Sequence, residues 1–99
     1  MVQIIWLASA KTDLKQIFDF ISEDSKRFAK YQIIKIKNST STLKTFPNAG
    51  KEVLEYPNEK IKELVESNYR IIYKIISPSL IHILMVHHGA RLLSKRFND

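Results

Sequence analysis

The chain has 99 residues, 44% of them hydrophobic, which is enough for one domain with a single modest core. Its 16 Lys and Arg against 10 Asp and Glu give a net charge of +6, which favours nucleic acid or an acidic protein as the partner. The absence of Cys excludes a disulfide scaffold and a thiolate metal site. No apolar run approaches the roughly 20 residues that cross a bilayer. The sequence therefore predicts a single domain, residues 1–99, that is cytoplasmic and has no membrane partner.

The first half of the chain predicts one strand and two helices. Residues 2–6 are rich in β-branched side chains and predict the strand. A helix follows, with Ser9 or Thr12 as its N-cap and Asp13 in its first turn, because apolar residues recur at helical spacing at Leu14, Ile17, Phe18 and Ile21. The polar residues 22–25 offer a second cap, and the next helix continues to Phe46 and stops at Pro47. Two helices joined by so short a loop predict an antiparallel hairpin.

After Gly50 the apolar pattern changes from helical to strand-like. Residues 51–55 predict a weak strand or extended arm, and residues 61–65, 69–76 and 81–87 predict three strands. The predicted order is β-α-α-β-β-β. This is an α+β fold in which an N-terminal helical hairpin packs on a small, mainly antiparallel sheet.

The turns predict which side chains share a face of this sheet. If Pro78–Ser79 is a hairpin tip, Arg70 pairs with His87, and if residues 66–68 form a three-residue loop, Leu64 pairs with Arg70. The face away from the helices is then polar and cationic, with Arg91 just beyond the strand end, and carries Lys60, Lys62, Arg70, Lys74 and His87. The other face is apolar and is predicted to lie under the helices, with Ile61, Val65, Tyr69, Ile71, Tyr73, Ile75, Leu84 and Val86. The alternative is that the lysines merely cover an open face and that Arg70 pairs with a carboxylate such as Glu63 or Glu66.

Three histidines within seven residues raise the question of a metal site. The alternation places His82 and His88 on the face opposite His87, and neither Cys nor enough carboxylates lie nearby in sequence to complete a coordination shell. We expect no metal and no cofactor.

The positive charge is concentrated in the first half of the chain. No acid occurs between Asp24 and Glu52, whereas this stretch holds seven basic residues: Lys26, Arg27, Lys30, Lys35, Lys37, Lys44 and Lys51. Such a run is either a solvated helix face or a docking surface for an acidic partner or a phosphate backbone.

Several motifs, taken in order, resemble the RelE/ParE superfamily, the toxin halves of bacterial type II toxin–antitoxin pairs. The similarity runs from about residue 3 to residue 93 and includes Ile5-Trp6, Asp13-Leu14, Phe46-Pro47, Glu63-Leu64-Val65, Tyr69-Arg70-Ile71-Ile72-Tyr73 and Val86-His87-His88-Gly89-Ala90-Arg91. The resemblance implies one of two activities. ParE-like members poison DNA gyrase, whereas RelE-like members are endoribonucleases that cut messenger RNA in the ribosomal A site.

The ending His-Gly-Ala-Arg and the long helical hairpin resemble the ParE-like branch, which we favour. Lys60-Ile61-Lys62 ahead of Arg70 resembles the RelE-like branch, although the C-terminal tyrosine of that branch has no match, since that region offers only Phe97. For the ribonuclease alternative, the resemblance implies metal-independent attack by the ribose 2′-OH. Arg70, His87 and Arg91 would then be catalytic, and Lys60, Lys62 and Lys74 would bind RNA.

Either branch implies a cognate antitoxin, ParD-like or RelB-like, that silences the toxin. The acid-free stretch predicts that Lys30, Lys35 and Lys37 bind the acids of this antitoxin. A binding module unrelated to toxins is the remaining interpretation.

Overall fold

A computed structural model of the protein describes residues 1–89, and its element order confirms the predicted α+β fold. The elements are β1 (Gln3–Trp6), α1 (Ala8–Ser22), α2 (Lys26–Ser39), a 3₁₀ helix (Thr40–Lys44), β2 (Lys51–Glu52), β3 (Ile61–Glu66), β4 (Tyr69–Ser77) and β5 (Leu80–His88). The second helix is thus shorter than predicted and its last turn tightens into the 3₁₀ helix. The predicted arm after Gly50 forms a strand of only two residues.

The five strands form one sheet in the order β1-β5-β4-β3-β2. All neighbouring pairs are antiparallel except β1 and β5, which run parallel. The helical hairpin covers one face of this sheet, which we call the inner face, and the largest buried cluster lies between them. Its members include Leu14, Ile36, Leu43, Tyr69, Ile71, Tyr73, Ile81, Ile83 and Val86. Within the described residues, no helix is long and apolar enough to cross a membrane.

The start of α1 is held by the sheet and not by a side-chain cap, so the predicted caps are wrong. The N-cap residue is Leu7, and it makes no side-chain capping bond. Pairing of β1 with β5 ends at Ile83, and beyond it the β5 backbone bonds to α1 side chains. Ser9 Oγ donates to the Leu84 carbonyl at 2.6 Å, and Asp13 Oδ2 accepts from the Val86 N–H at 2.9 Å. These two residues satisfy backbone groups that would otherwise lie unpaired at a sheet edge.

The start of α2 follows the sequence pattern. Ser25 has extended backbone angles, and its side chain accepts from the Phe28 N–H at 3.1 Å. This bond satisfies one of the backbone donors left free at a helix N-terminus. The predicted cap within residues 22–25 is confirmed.

The β4–β5 hairpin contains two irregularities that cancel. Ser77 pairs with Leu80 and Arg70 pairs with His87, as predicted, although the register shifts between Ile75 and Ser77 and again between Ile72 and Tyr73. One extra residue on each strand restores the original register. Between the two shifts, the side chains of β5 lie on the opposite face of the sheet from the one predicted for them. Leu84 therefore packs against a second buried cluster, formed by Val53, Ile61 and Ile72, and not on the inner face as predicted, whereas Ile83 lies in the inner cluster.

The β3–β4 turn is one residue shorter than predicted. Glu66 pairs with Tyr69, so the loop is Ser67–Asn68, with Ser67 at φ 55°. Val65, not Leu64, pairs with Arg70. Because side chains alternate between faces, this slip moves all of β3 to the other side of the sheet. Leu64 accordingly packs against the inner cluster, and Ile61 and Val65 do not lie on the inner face as predicted.

The face of the sheet opposite the helices, the outer face, is not open. Val53 is fully buried there against Ile61 and Ile72, with Leu84 and Met85 beside them. Val53 is the first residue of the loop that connects β2 to β3, residues 53–60, and this loop lies over the outer face. The predicted uncovered cationic face is therefore wrong, because this loop and its apolar anchor cover part of it.

Candidate functional site

The Arg70 guanidinium lies on the outer face between two carboxylates. Its Nε donates to Glu63 Oε2 at 2.7 Å, its Nη1 donates to Glu55 Oε2 at 2.5 Å and its Nη2 donates to Glu55 Oε1 at 2.9 Å. The contact with Glu55 is therefore bidentate, the strongest arrangement for an arginine and a carboxylate. The alternative interpretation, in which Arg70 pairs with Glu63, is confirmed.

The two carboxylates come from different parts of the chain. Glu63 lies on β3, opposite Ile72, and only 5% of its side chain is exposed, whereas Glu55 lies on the β2–β3 loop with 33% exposed. Lys51 Nζ lies 3.9 Å from Glu63 Oε1 and completes the charged group. The shortened β3–β4 turn brings Glu63 to this side of the sheet, and sequence reasoning did not foresee Glu55. The positions of the acidic residues in the sequence do not indicate that Glu55 contacts Arg70.

Arg70 and Glu55 shift one another's protonation equilibria. Hydrogen bonding to Arg70 is the main reason that the pKa of Glu55 falls from 4.5 to about 2, and the nearby His87 contributes a smaller electrostatic effect in the same direction. The hydrogen bond from Glu55 is likewise the main reason that the pKa of Arg70 is raised further above its usual value. Both groups are therefore charged at neutral pH.

His87 lies on the strand next to Arg70 and pairs with it across the ladder, as predicted. Only 4% of the residue is exposed, so an external substrate does not reach the imidazole in this arrangement. A cation and an imidazole do lie side by side on the outer face, but the guanidinium donors are engaged by carboxylates. Arg91, the third predicted catalytic residue, lies outside the described residues.

The three lysines predicted to line this face are separated. Lys62 pairs with Tyr73, so it lies on the inner side of the sheet, and Lys60 is exposed in the β2–β3 loop where its carbonyl accepts from the Ile75 N–H. Their predicted place beside Arg70 is wrong because of the one-residue slip in β3. Lys74 does share the side of Arg70, and it pairs with Ile61 and His82.

His82 lies opposite Lys74 and so does not occupy the face predicted for it, because the register shift exchanges the faces there. His88 pairs with Tyr69 on the inner side, and the two rings meet edge to face at 5.5 Å. Within residues 1–89, no group of three or more His, Asp or Glu side chains could hold a metal ion.

The lysines predicted to bind an antitoxin lie on two different flanks of α2. Lys35 Nζ is 3.4 Å from Glu66 Oε2 on β3 and lies 5.4 Å from the centre of the Tyr31 ring. Lys37 is two positions further on, about 200° around the helix, and lines a groove beside α1. Lys30 is exposed and falls near Lys37 on the helical wheel. A single flat partner therefore cannot contact all three lysines at once.

The groove beside Lys37 is the second feature that sequence reasoning missed. It holds about 480 Å³ and has an apolar floor of Trp6, Leu14, Phe18 and Ile33, with Lys11, Lys15 and Lys37 around it. The spacing of Lys11, Lys15 and the apolar residues of α1 could have indicated a basic rim along an apolar stripe. Such a surface suits an amphipathic acidic segment.

A turn beside the site is fixed by Tyr73, which is fully buried. Its hydroxyl donates to the Pro47 carbonyl at 2.8 Å and accepts from the Gly50 N–H at 3.0 Å. Burial raises the pKa of this phenol. A Cβ at Gly50 would lie 2.6 Å from the Glu63 carbonyl and 2.7 Å from the Tyr73 hydroxyl, so residue 50 has no room for a side chain.

A similar arrangement of elements occurs in a solved structure, and a similar sequence occurs in a curated protein. A chain of a solved structure titled "Chromosomal ParDE TA system from P. aeruginosa" superimposes with a TM-score of 0.73 at 18% identity, covering 89% of this chain and 96% of that chain. The curated protein "Toxin RelE2" of Caulobacter vibrioides is 28% identical over 92 residues, which is 93% of this chain and 100% of that protein. The fold is therefore that of the RelE/ParE superfamily, as the sequence resemblance implies.

The family profile described as "ParE toxin of type II toxin-antitoxin system, parDE" matches residues 4–93. The chain belongs to this family of ParE toxins.

Proposed function

We propose that the protein arrests growth in the cytoplasm by binding and inhibiting DNA gyrase, and that a cognate antitoxin neutralises it. The observation that supports this function over RNA cleavage is the engagement of Arg70 by Glu55 and Glu63 beside a buried His87. A ribonuclease of the proposed type needs a guanidinium free to stabilise the charge on phosphoryl oxygens and an acid or base within reach of the ribose. In this arrangement neither group meets an external phosphate.

The direct test compares two purified systems. The protein is added to gyrase, ATP and relaxed plasmid, and in parallel to ribosomes translating a defined messenger RNA. We expect supercoiling to fall as protein is added while the message stays intact. Cleavage of the message at the A site with undiminished supercoiling would instead establish the ribonuclease alternative.

A variant pair separates the two functions inside cells. Arg70→Lys keeps the counter-charge of the buried Glu63 but loses the bidentate geometry, and His87→Gln removes the titratable imidazole. We expect both variants to retain growth arrest when they are expressed at wild-type levels. If both variants fail to arrest growth although their thermal unfolding is unchanged, the proposal that the protein inhibits gyrase without catalysis is contradicted.

The antitoxin is proposed to carry acids that meet the basic α2 stretch. Lys37 lines the groove, Lys30 falls near it on the helical wheel, and Lys35 lies toward β3, so the two flanks are tested separately. Charge reversal at Lys30 and Lys37 is expected to weaken antitoxin binding at least tenfold, because acids on the toxin would then repel the acids of the antitoxin at an interface from which water is excluded. Charge reversal at Lys35 alone is the matched comparison. Undiminished affinity with all three lysines reversed would leave the basic stretch without a role in antitoxin binding.

A further inference from the structure

The solvent-facing side of α2 carries large apolar residues, where a surface helix is normally polar. Phe28, Tyr31 and Ile34 lie there at intervals of three residues and are 55%, 56% and 48% exposed. The other side of the helix buries Ala29 and Ile36 completely. The helix therefore has two apolar stripes, one in the core and one facing solvent.

Basic residues are interleaved with the exposed stripe. The α2 segment has no acid and holds five basic residues: Lys26, Arg27, Lys30, Lys35 and Lys37. Arg27 is exposed and falls beside Tyr31 on the helical wheel. Lys35 Nζ lies over the Tyr31 ring, 5.4 Å from its centre, and 3.4 Å from Glu66 Oε2, which offsets its charge. We call this surface, formed by Arg27, Phe28, Tyr31, Ile34 and Lys35, the α2 strip.

The two aromatic rings of the α2 strip are near one another without being stacked. The ring centres of Phe28 and Tyr31 are 6.3 Å apart, and the ring planes are inclined by 42°. This distance is close to twice the rise of about 3.4 Å between neighbouring bases of one DNA strand. Rotation of one exposed ring until it lies parallel to the other would therefore leave space for one base between them. Bases that stack on aromatic rings while cations hold the phosphates are typical of proteins that bind single strands.

Other occupants of the α2 strip fit it less well. A second copy of this chain would bring two acid-free basic helices together, and their charges would repel. Duplex DNA does not need the exposed rings, because its bases are already stacked on one another. An acidic protein segment would satisfy the cations, and the experiment below separates it from a single strand.

We propose that the α2 strip binds single-stranded DNA, with a base stacked against Phe28 and Tyr31 and with Arg27 and Lys35 on the neighbouring phosphates. The choice of DNA over RNA rests on the proposed function, because the substrate of gyrase is DNA. Two phosphate contacts predict that log K falls with log salt concentration with a slope of at least about 1.4 in magnitude.

Fluorescence anisotropy of a labelled oligothymidine tests the proposal, with a length of about 12 nucleotides, which is within the usual site sizes of single-strand binding proteins. A duplex DNA and an oligouridine RNA of the same length are measured in parallel. We expect the single DNA strand to bind more tightly than the duplex, and the RNA to bind no more tightly than the DNA. Phe28→Leu and Tyr31→Leu keep an apolar side chain but remove the ring, and each is expected to weaken binding about tenfold. Arg27→Gln is expected to reduce the salt slope by about 0.7.

The matched control is Phe20→Leu, which removes an exposed aromatic ring from α1, outside the α2 strip, and is expected to bind like the wild type. Thermal unfolding of every variant checks that these exposed substitutions leave the fold intact. The proposal is overturned if Phe28→Leu and Tyr31→Leu bind the single strand like the wild type, or if the duplex binds as tightly as the single strand. Tighter binding of the RNA would refute the choice of DNA. Weaker antitoxin binding by the two Leu variants, with unchanged affinity for the single strand, would assign the α2 strip to an acidic protein and also overturn it.

This assay contains no gyrase, so its result is independent of the supercoiling test. A protein that binds the single strand through the α2 strip but leaves supercoiling undiminished would refute gyrase inhibition and not the DNA-binding surface. A protein that inhibits supercoiling but does not bind the oligothymidine would refute the DNA-binding surface alone.

Discussion

Acid should weaken the fold specifically through Glu55. The folded pKa of this carboxyl is about 2, against its ordinary 4.5, so its contribution to stability is present above pH 4.5 and is lost as the pH falls toward 2. At roughly 1.4 kcal/mol per pH unit, the whole shift corresponds to about 3 kcal/mol as an upper limit. A third of the side chain is exposed, and solvent screening lowers this to about 1–2 kcal/mol.

The assay compares urea unfolding of wild type and Glu55→Gln at pH 5.5 and pH 3. The neutral amide imitates the protonated acid, so the variant should be about 1–2 kcal/mol less stable than the wild type at pH 5.5. About 1 kcal/mol of that difference should disappear at pH 3, because most of the window between 4.5 and about 2 has then been crossed. A stability difference that is the same at both pH values would refute the assignment of the acid effect to the Glu55–Arg70 pair.

Three substitutions test the packing around the site by chemical denaturation. Tyr73→Phe removes the partner of the Pro47 carbonyl and the Gly50 N–H, and should lower the free energy of unfolding by about 2 kcal/mol; a change below about 0.5 kcal/mol would contradict this role. Gly50→Ala should destabilise by at least about 2 kcal/mol, because its Cβ would meet backbone and a buried phenol; a neutral effect would show that the turn relaxes. Asp13→Ala should cost about 1–2 kcal/mol by leaving the Val86 N–H unpaired, with faster amide exchange at Val86 as the specific sign.

Local rules predicted the helices and the tip of the last hairpin. Ser25 caps α2 because its side chain suits that position whatever the rest of the fold does. Ser77 pairs with Leu80 because Pro78 and Ser79 can form the turn by themselves. The Arg70–His87 pairing followed from that tip by counting, and it held only because two opposite irregularities restored the register.

The face of β3 could not be predicted in the same way. A strand with apolar residues at Ile61, Leu64 and Val65 has no strict alternation, so registers one residue apart bury similar amounts of apolar surface. The choice between them depends on where the chain returns after Gly50. Burial of Val53 against Ile61 and Ile72 favours the register that is present, and it carries Glu63 to the side of Arg70.

The sequence by itself determined the α+β order, the superfamily and the neighbourhood of Arg70 and His87, because periodicity, capping and turn residues act over a few positions. Only the tertiary structure decided that Arg70 is already bound. Its partners lie 7 and 15 residues away along the chain, and the contact with Glu55 depends on a loop folding over the sheet. Ion pairs across a sheet depend on strand register and loop packing, and neither can be deduced from residues that are close together in the sequence.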